Sequence, residues 1–316
     1  MRRLVALLWA VLLLVVANQR DVSAVPPEYR VLAQDRGHVA IVAADGQVQW
    51  EVACRHNSHD IAQLPGGNLL LHVGPAKIIE MTPAKETVWQ YEARPKPGYN
   101  GRIEIHAFQR LTNGLTMVAE SGNCRIVEVD AAGTVRSETP LTVENPDPHR
   151  DTRLARKLAS GNYLVCHEKD GAVREYDPSG KLLWTYRLDL AGRPRSPGHG
   201  PEGHGTEVFA ALRLPGGNTV IACGNGNRVI EVTPAGETVW SIEQDELPGI
   251  KLAWVTTLQR LPNGNLIVGN THAGPENPQL LEVTRDKQVV WKFNDFQTFG
   301  NSLAAAMIID QPGIER

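Results

Sequence analysis

The residues able to do chemistry in this chain come in pairs. Asn57/His59, Glu104/His106 and Asp151/Arg153 are each two residues apart, and the equivalent places later in the chain hold Glu207/Phe209 and Trp254/Thr256. Residues two apart on an extended strand share a face, so each pair is expected to project its members together. Imidazoles beside carboxylates support two kinds of chemistry. Neutral imidazoles with carboxylates can hold a divalent metal that polarises a substrate oxygen or acidifies a proton, and His59, His106, His204 and Glu207 are the candidate ligands. Alternatively, a histidine oriented by a carboxylate acts as a general base, with His106, His204 and Glu207 as the catalytic candidates. Asn57, His59, Glu104, Asp151, Arg153, Trp254, Asn270 and His272 are the candidate ligand-binding residues. Trp254 would either stack on a sugar ring or plug the space between the strands. Buried charges are costly unless paired, so a purely structural network of ion pairs is the competing reading. No HxxxH or GxSxG signature narrows the chemistry further.

What puts these pairs in equivalent places is a repeat. Leu64-Pro-Gly-Gly-Asn68, Leu111-Thr-Asn-Gly-Leu115, Leu158-Ala-Ser-Gly-Asn162, Leu214-Pro-Gly-Gly-Asn218 and Leu261-Pro-Asn-Gly-Asn265 share one template, with key glycines spaced by 47, 47, 56 and 47 residues. Each reads as a tight turn followed by an apolar strand. A second template follows: Glu80, Glu128, Glu175, Glu231 and Glu282 each stand nine residues before Trp89, Ser137, Trp184, Trp240 and Trp291. Each unit therefore reads as four short strands, A to D, without helical periodicity. A period near 47 residues is that of a propeller blade. Residues 29–52 supply strands B, C and D alone, and Ser302–Asp310 supplies a lone strand A. Pairing the two ends makes a sixth blade and removes the exposed sheet edges. The expected fold is an all-β, six-bladed β-propeller of four-stranded antiparallel blades. The tryptophans Trp50, Trp89, Trp184, Trp240 and Trp291 are expected to pack blade on blade.

In such a ring the D-to-A connections and B-to-C loops open on one face, where a rigid scaffold holds them around a cavity. The 56-residue spacing marks a nine-residue insertion ahead of blade five, within Ala191–Glu207, carrying His199, His204 and Glu207. Long loops in compact domains usually serve function or are disordered, and this one is expected to arch over the same face. Asp147-Pro-His149-Arg150-Asp151 forms another cluster before blade four, and the B-to-C loops add Glu120, His167, Glu168, Asn270 and His272.

Residues 1–24 read as a signal peptide: Arg2 and Arg3, an apolar run from Leu4 to Ala17, then Val22-Ser23-Ala24 at the cleavage site. The apolar run is short for a membrane span, so the chain is expected to be exported, to a periplasm or beyond, with residues 25–316 as a single propeller domain. The formal charge of -3 becomes -5 once Arg2, Arg3, Arg20 and Asp21 are removed. An acidic chain has no electrostatic case for binding nucleic acid. Cys54, Cys124, Cys166 and Cys223 show no CxxC spacing, which argues against structural zinc. Buried inert thiols are favoured over a disulfide.

The pattern LPxGN…IEVxxxGxxVW, running through residues 29–310, resembles bacterial PQQ-like and WD40-like propeller repeats and the blades of arylsulfotransferase-like exported proteins. The resemblance implies a scaffold and says little about chemistry. Quinone-dependent dehydrogenases of this kind resemble eight-bladed rings with adjacent cysteines; this chain is too short for eight blades and has no Cys-Cys pair, so PQQ is not expected. Arylsulfotransferase-like enzymes work through a channel histidine, which no motif here singles out. The functional expectation is an exported propeller that binds a small polar ligand, carbohydrate-like, at a histidine- and carboxylate-rich channel mouth. The alternatives are a metal- or histidine-assisted lyase or transferase, and a scaffold for a protein partner.

Overall fold

The turn template does locally what its residues require. In the first such turn the Leu64 amide donates to the Asn68 carbonyl, 2.7 Å, and the Gly67 amide to the Leu64 carbonyl, 3.0 Å. Gly67 sits at φ +92°, which a side chain would oppose. Asn68 then donates its side-chain amide to Glu80, 2.7 Å away. The recurring asparagine and glutamate therefore form a side-chain clamp across the hairpin. The same clamp joins Asn162 to Glu175, Asn218 to Glu231 and Asn265 to Glu282.

A computed structural model describes residues 29–316; the expected signal peptide at residues 1–24 lies outside them. Twenty-four strands form six four-stranded antiparallel sheets. Blade I comprises β1 (Arg30–Asp35), β2 (His38–Val42) and β3 (Val48–Ala53), with β24 (Ala305–Ile309) as its innermost strand. Blade II runs from β4 (Ala62–Gln63) to β7 (Thr87–Glu92), and blade III from β8 (Glu104–Arg110) to β11 (Val135–Pro140). Blade IV runs from β12 (Ala155–Lys157) to β15 (Leu182–Arg187), blade V from β16 (Ala210–Arg213) to β19 (Thr238–Ile242), and blade VI from β20 (Trp254–Arg260) to β23 (Val289–Phe293). Pairing of β24 with β1, from Arg30 opposite Ile309 to Gln34 opposite Ala305, closes the ring as the sequence predicts. Among the described residues there is no helix long and apolar enough to cross a membrane.

The outer joints explain the tryptophans. Trp50 Nε1 donates to the Pro83 carbonyl of the next blade, Trp89 to Asp130, Trp184 to Pro234 and Trp240 to Arg285, all at 2.9–3.0 Å. Blade III carries Ser137 in the tryptophan slot, and there Thr139 Oγ1 donates to Pro178, 2.9 Å away. At the closing joint Trp291 packs edge-on against Tyr29, whose hydroxyl donates to Glu282 at 2.9 Å. The repeated glutamates meet cations brought by the following blade: Arg110 on Glu80, Lys157 on Glu128, Arg213 on Glu175 and Arg285 on Glu231. The apolar interior is divided into clusters between neighbouring blades.

Two adjustments shape the channel. Glu104/His106 and Trp254/Thr256 begin on strands β8 and β20, whereas Asn57/His59 and Asp151/Arg153 precede β4 and β12, which are two and three residues long. Asp60 supplies what the short strand β4 lacks: its carboxylate accepts the Phe108 amide at 3.0 Å and grips Arg156 through two bonds of 2.8 and 3.0 Å. Arg316 joins the same carboxylate and donates to the Ile61 carbonyl, 2.7 Å. This cluster, with Asp60 and Arg156 buried and Arg316 partly so, lies beside His59 on the inner side of the ring.

Candidate functional site

Beside that cluster lies a cavity of about 550 Å³. Six of the chain's ten histidines line it: His56, His59, His106, His149, His199 and His272. The remaining four, His38, His72, His167 and His204, also lie at B-to-C ends of strands or in D-to-A connections. Every histidine therefore belongs to one face of the ring. That bias is readable from the sequence once the strands are assigned, yet indexing only the pairs before strand A overlooks it.

His106 is placed by a β-bulge. Along β8 and β9 the register steps from Ile105 opposite Glu120 to Ala107 opposite Ala119, leaving His106 as the extra residue. Such a bulge re-aims a side chain and is common beside functional sites. The ring of His106 meets His59 with Nδ1 to Nδ1 at 2.9 Å. Its other nitrogen, Nε2, lies 3.2 Å from Glu104 Oε2 but off the line of a hydrogen bond, so this buried atom has no partner. Glu104 Oε2 is also 2.8 Å from His149 Nδ1, while Oε1 is held by Arg102 Nε at 2.7 Å.

The electrostatics follow from burial. Burial drives His106 down to about 4, against the opposing pull of Glu104. Burial, Arg153 and the neighbouring imidazoles push His59 well below its ordinary value. Burial raises the Glu104 carboxyl, but the His106 and His149 imidazoles beside it outweigh burial and hold the group well below the usual carboxylate range. At neutral pH this corner thus presents the neutral rings of His59 and His106 beside the ionised Glu104 carboxylate, a donor set suited to cations and to proton transfer.

Trp254 reaches the mouth, but its ring is enclosed. It stacks on His272 with centroids 5.5 Å apart and an angle of 16°, meets His199 at 4.4 Å, and has the Arg153 guanidinium 5.9 Å from its centroid. Only 7% of Trp254 is exposed, so its surroundings are those of a plug, and the flat surfaces offered to a ligand are imidazoles. His272 stands at φ +61°, a conformation uncommon for a residue with a side chain. Its backbone is fixed there by donation to the Asn301 carbonyl, 2.8 Å.

The insertion does arch over this face. Ser196 and His204 exchange two backbone hydrogen bonds of 2.9 Å, forming a tight loop that delivers His199 to the mouth. His204 and Glu207 line a neighbouring depression instead; His204 Nε2 bonds the Leu190 carbonyl at 3.0 Å and Glu207 pairs with Arg195 at 2.9 Å. They do not converge with His59 and His106. Among the described residues, only Glu104, His106 and His149 bring three ligand atoms of this kind within 4.8 Å of one another.

Other candidates take structural positions. Arg153 forms a fully buried ion pair with Glu168. Asp151 accepts the Gly122 amide at 2.9 Å, and Asn270 accepts the Ala253 amide at 2.7 Å. Glu120 is engaged by Tyr91, Asn123 and Arg125. Arg55, His56 and Arg102 were not singled out by the repeat, although His56 and Arg55 immediately precede Asn57. The four cysteines are free thiols, with Cys54, Cys166 and Cys223 buried and Cys124 partly exposed.

Comparison with known proteins gives a fold and a family. A family profile described as outer membrane protein assembly factor BamB matches residues 35–293. A solved protein of unknown function from Bacteroides caccae superposes with a TM-score of 0.74 at 24% identity, covering 90% of this chain and 100% of that one. Streptogramin B lyase gives a TM-score of 0.55 at 13% identity over 86% of this chain and 85% of its own. A catalytically inactive histidine-to-alanine variant of virginiamycin B lyase from Staphylococcus aureus, with quinupristin, gives 0.52 at 12% identity over 85% and 84%. At these identities the structural likenesses establish the ring and nothing finer. No curated protein sequence matches significantly.

Proposed function

This chain belongs to the family described as outer membrane protein assembly factor BamB, and from that premise we propose that it is an exported propeller binding a small, polar, carbohydrate-like ligand at its channel mouth. Residues 1–24 serve as the export signal and residues 25–316 form the mature domain. One observation carries the ligand reading: six imidazoles, Asn57, Arg55 and Arg102 surround a cavity large enough for a small sugar. Arg55, Asn57, His56, His199 and His272 make no side-chain hydrogen bond among the described residues, so their polar groups are available to a ligand. A site of a few convergent polar groups on a rigid ring is the usual form of a small-molecule pocket. The large exposed apolar residues, Val48, Val88, Val135, Leu182, Leu183, Val239 and Val290, lie on the six outermost strands.

The test is a thermal-shift screen of neutral, uronic and sulfated sugars. A ligand that binds only the native state at 100 times its Kd adds about 2.7 kcal/mol, read as a rise of several degrees. The rise should vanish in a variant carrying Arg55→Ala, Asn57→Ala and His199→Ala. A flat response to every sugar, or a rise that survives the triple substitution, overturns the reading.

A second reading is favoured by the Glu104–His149 contact of 2.8 Å. A carboxylate holding Nδ1 would leave His149 Nε2, on a half-exposed ring, as a general base over the cavity. Proton abstraction from a bound sugar acid, as in a lyase, is the reaction such a pair supports.

A further inference from the structure

We infer that Glu104, His106 and His149 form a binding site for one divalent transition-metal ion of the zinc class, with His59 as the residue that orients His106. The inference is independent of which ligand occupies the mouth. It starts from a local conflict. His106 Nε2 and Glu104 Oε2 are 3.2 Å apart without the alignment of a hydrogen bond, and Nε2 is buried without a partner. A neutral imidazole has one N–H. If His106 donates from Nδ1 to His59, its Nε2 lone pair faces a carboxylate oxygen. In that tautomer the two atoms repel unless a cation lies between them; with the proton on Nε2 instead, the contact is still too poorly aligned for a hydrogen bond.

The geometry is close to that required. Zinc bonds of about 2.0–2.1 Å in a tetrahedral site place ligand atoms about 3.3 Å apart. Here Glu104 Oε2 is 3.2 Å from His106 Nε2 and 2.8 Å from His149 Nδ1, and all three ligand atoms lie within 4.8 Å of one another, so small shifts admit the ion. Oε1 is already tied to Arg102, leaving Oε2 to bind through one oxygen. The 2.9 Å contact between His59 and His106 supplies the second-shell hydrogen bond that ligating histidines nearly always make. Two imidazoles and one carboxylate match the ligand sets of open metal sites, whose further positions are filled by water or substrate. All three ligands line the cavity, so those positions face the mouth. The nearby positive charge of Arg153 is balanced by its buried pair with Glu168. Metal and general base would use the same atoms of Glu104 and His149; the two assignments exclude each other.

The experiment is calorimetric titration of chelator-dialysed full-length mature protein with zinc chloride, without any sugar. We expect one ion per chain with a submicromolar Kd. His149→Ala and Glu104→Gln should each weaken binding at least 10-fold, and His38→Ala, outside the cavity, should leave it unchanged. Far-UV circular dichroism and thermal melts check that the variants fold; His149 lies in a half-exposed connection where truncation is tolerable. Cobalt substitution gives a second readout: d–d absorption of a low-coordinate site, lost in His149→Ala. Absence of saturable uptake overturns the inference, as does uptake that neither substitution weakens. Zinc binding with no sugar response would sink the ligand reading alone, and a sugar response without zinc would sink the metal site alone.

Discussion

His59 and His106 stand 47 residues apart, one full repeat, and their Nδ1 atoms are 2.9 Å from each other. Residues at the same place in successive blades have been brought into direct contact across the channel mouth. Each ring depends on the other for its hydrogen bond, so the pair should behave as a unit. His59→Ala leaves a buried nitrogen of His106 unsatisfied, a loss of about 1–3 kcal/mol. In a double-mutant cycle with His106→Ala, denaturant unfolding should show a coupling of about 0.5–3 kcal/mol. Additive single effects would mean the two rings do not interact in solution.

The outer joints invite a different comparison. Trp240 donates one hydrogen bond to the Arg285 carbonyl and carries the Arg285 guanidinium over its ring, 4.7 Å from the centroid. Trp240→Phe keeps an aromatic face and removes only the N–H, which should cost about 0.5–1.5 kcal/mol. Trp89 is only 9% exposed, so Trp89→Ala also loses packing and should cost about 3–5 kcal/mol. Urea denaturation of both variants checks the ranking. Equal losses would contradict the joint described here.

How far the sequence reaches is clear from these residues. Trp50, Trp89, Trp184 and Trp240 recur at a fixed offset because each meets the same turn of the next blade, so a scaffold role repeats and is legible. Site residues do not repeat. Glu104 and His149 come from a strand and a connection 45 residues apart, and nothing in their spacing announces that they meet. His106 is aimed by a bulge, which no local pattern marks. Indexing by repeat sets Asn57/His59, Glu104/His106 and Asp151/Arg153 at equivalent places; His59 and His106 meet, but Arg153 does not join them. Glu168 draws Arg153 into a buried ion pair instead. The sequence offers His199, His204 and Glu207 on one loop, and of these His199 lines the mouth while His204 and Glu207 line the neighbouring depression. The better signal was simpler: once the strands are assigned, all ten histidines fall on one face.

The Asp60 cluster should be fragile in a specific way. Asp60 is 3% exposed and binds Arg156 through both carboxylate oxygens while also meeting Arg316. Asp60→Asn leaves the buried Arg156 guanidinium, and the partly exposed Arg316 beside it, without a counter-charge. Breaking a buried pair by removing one partner costs about 3–5 kcal/mol. Asp60→Asn with Arg156→Met should recover part of that loss, because one uncompensated charge goes with the arginine. A double variant no more stable than Asp60→Asn alone would show that the carboxylate acts through the Phe108 amide and not through charge.

Acid should weaken the fold through its buried histidines, and His167 isolates the effect. Its side chain is fully buried; Nδ1 lies 2.7 Å from the Asp151 carbonyl and Nε2 2.9 Å from the Tyr176 hydroxyl. Burial, reinforced by Arg174, pushes it from 6.5 down to about 4. Between those values the unfolded chain binds a proton that the folded chain refuses, so stability rises with pH across that window. It is fully present above pH 6.5 and is lost as pH falls from 6.5 to 4, by roughly 3 kcal/mol for this one group at about 1.4 kcal/mol per unit. His167→Gln keeps a polar side chain that cannot titrate. The variant will be less stable at pH 7.5, yet its stability should fall less steeply between pH 6.5 and 4 than that of the parent. Urea midpoints at half-unit intervals measure both slopes. Parallel slopes would mean that His167 is protonated in the folded protein and contributes nothing to its acid sensitivity.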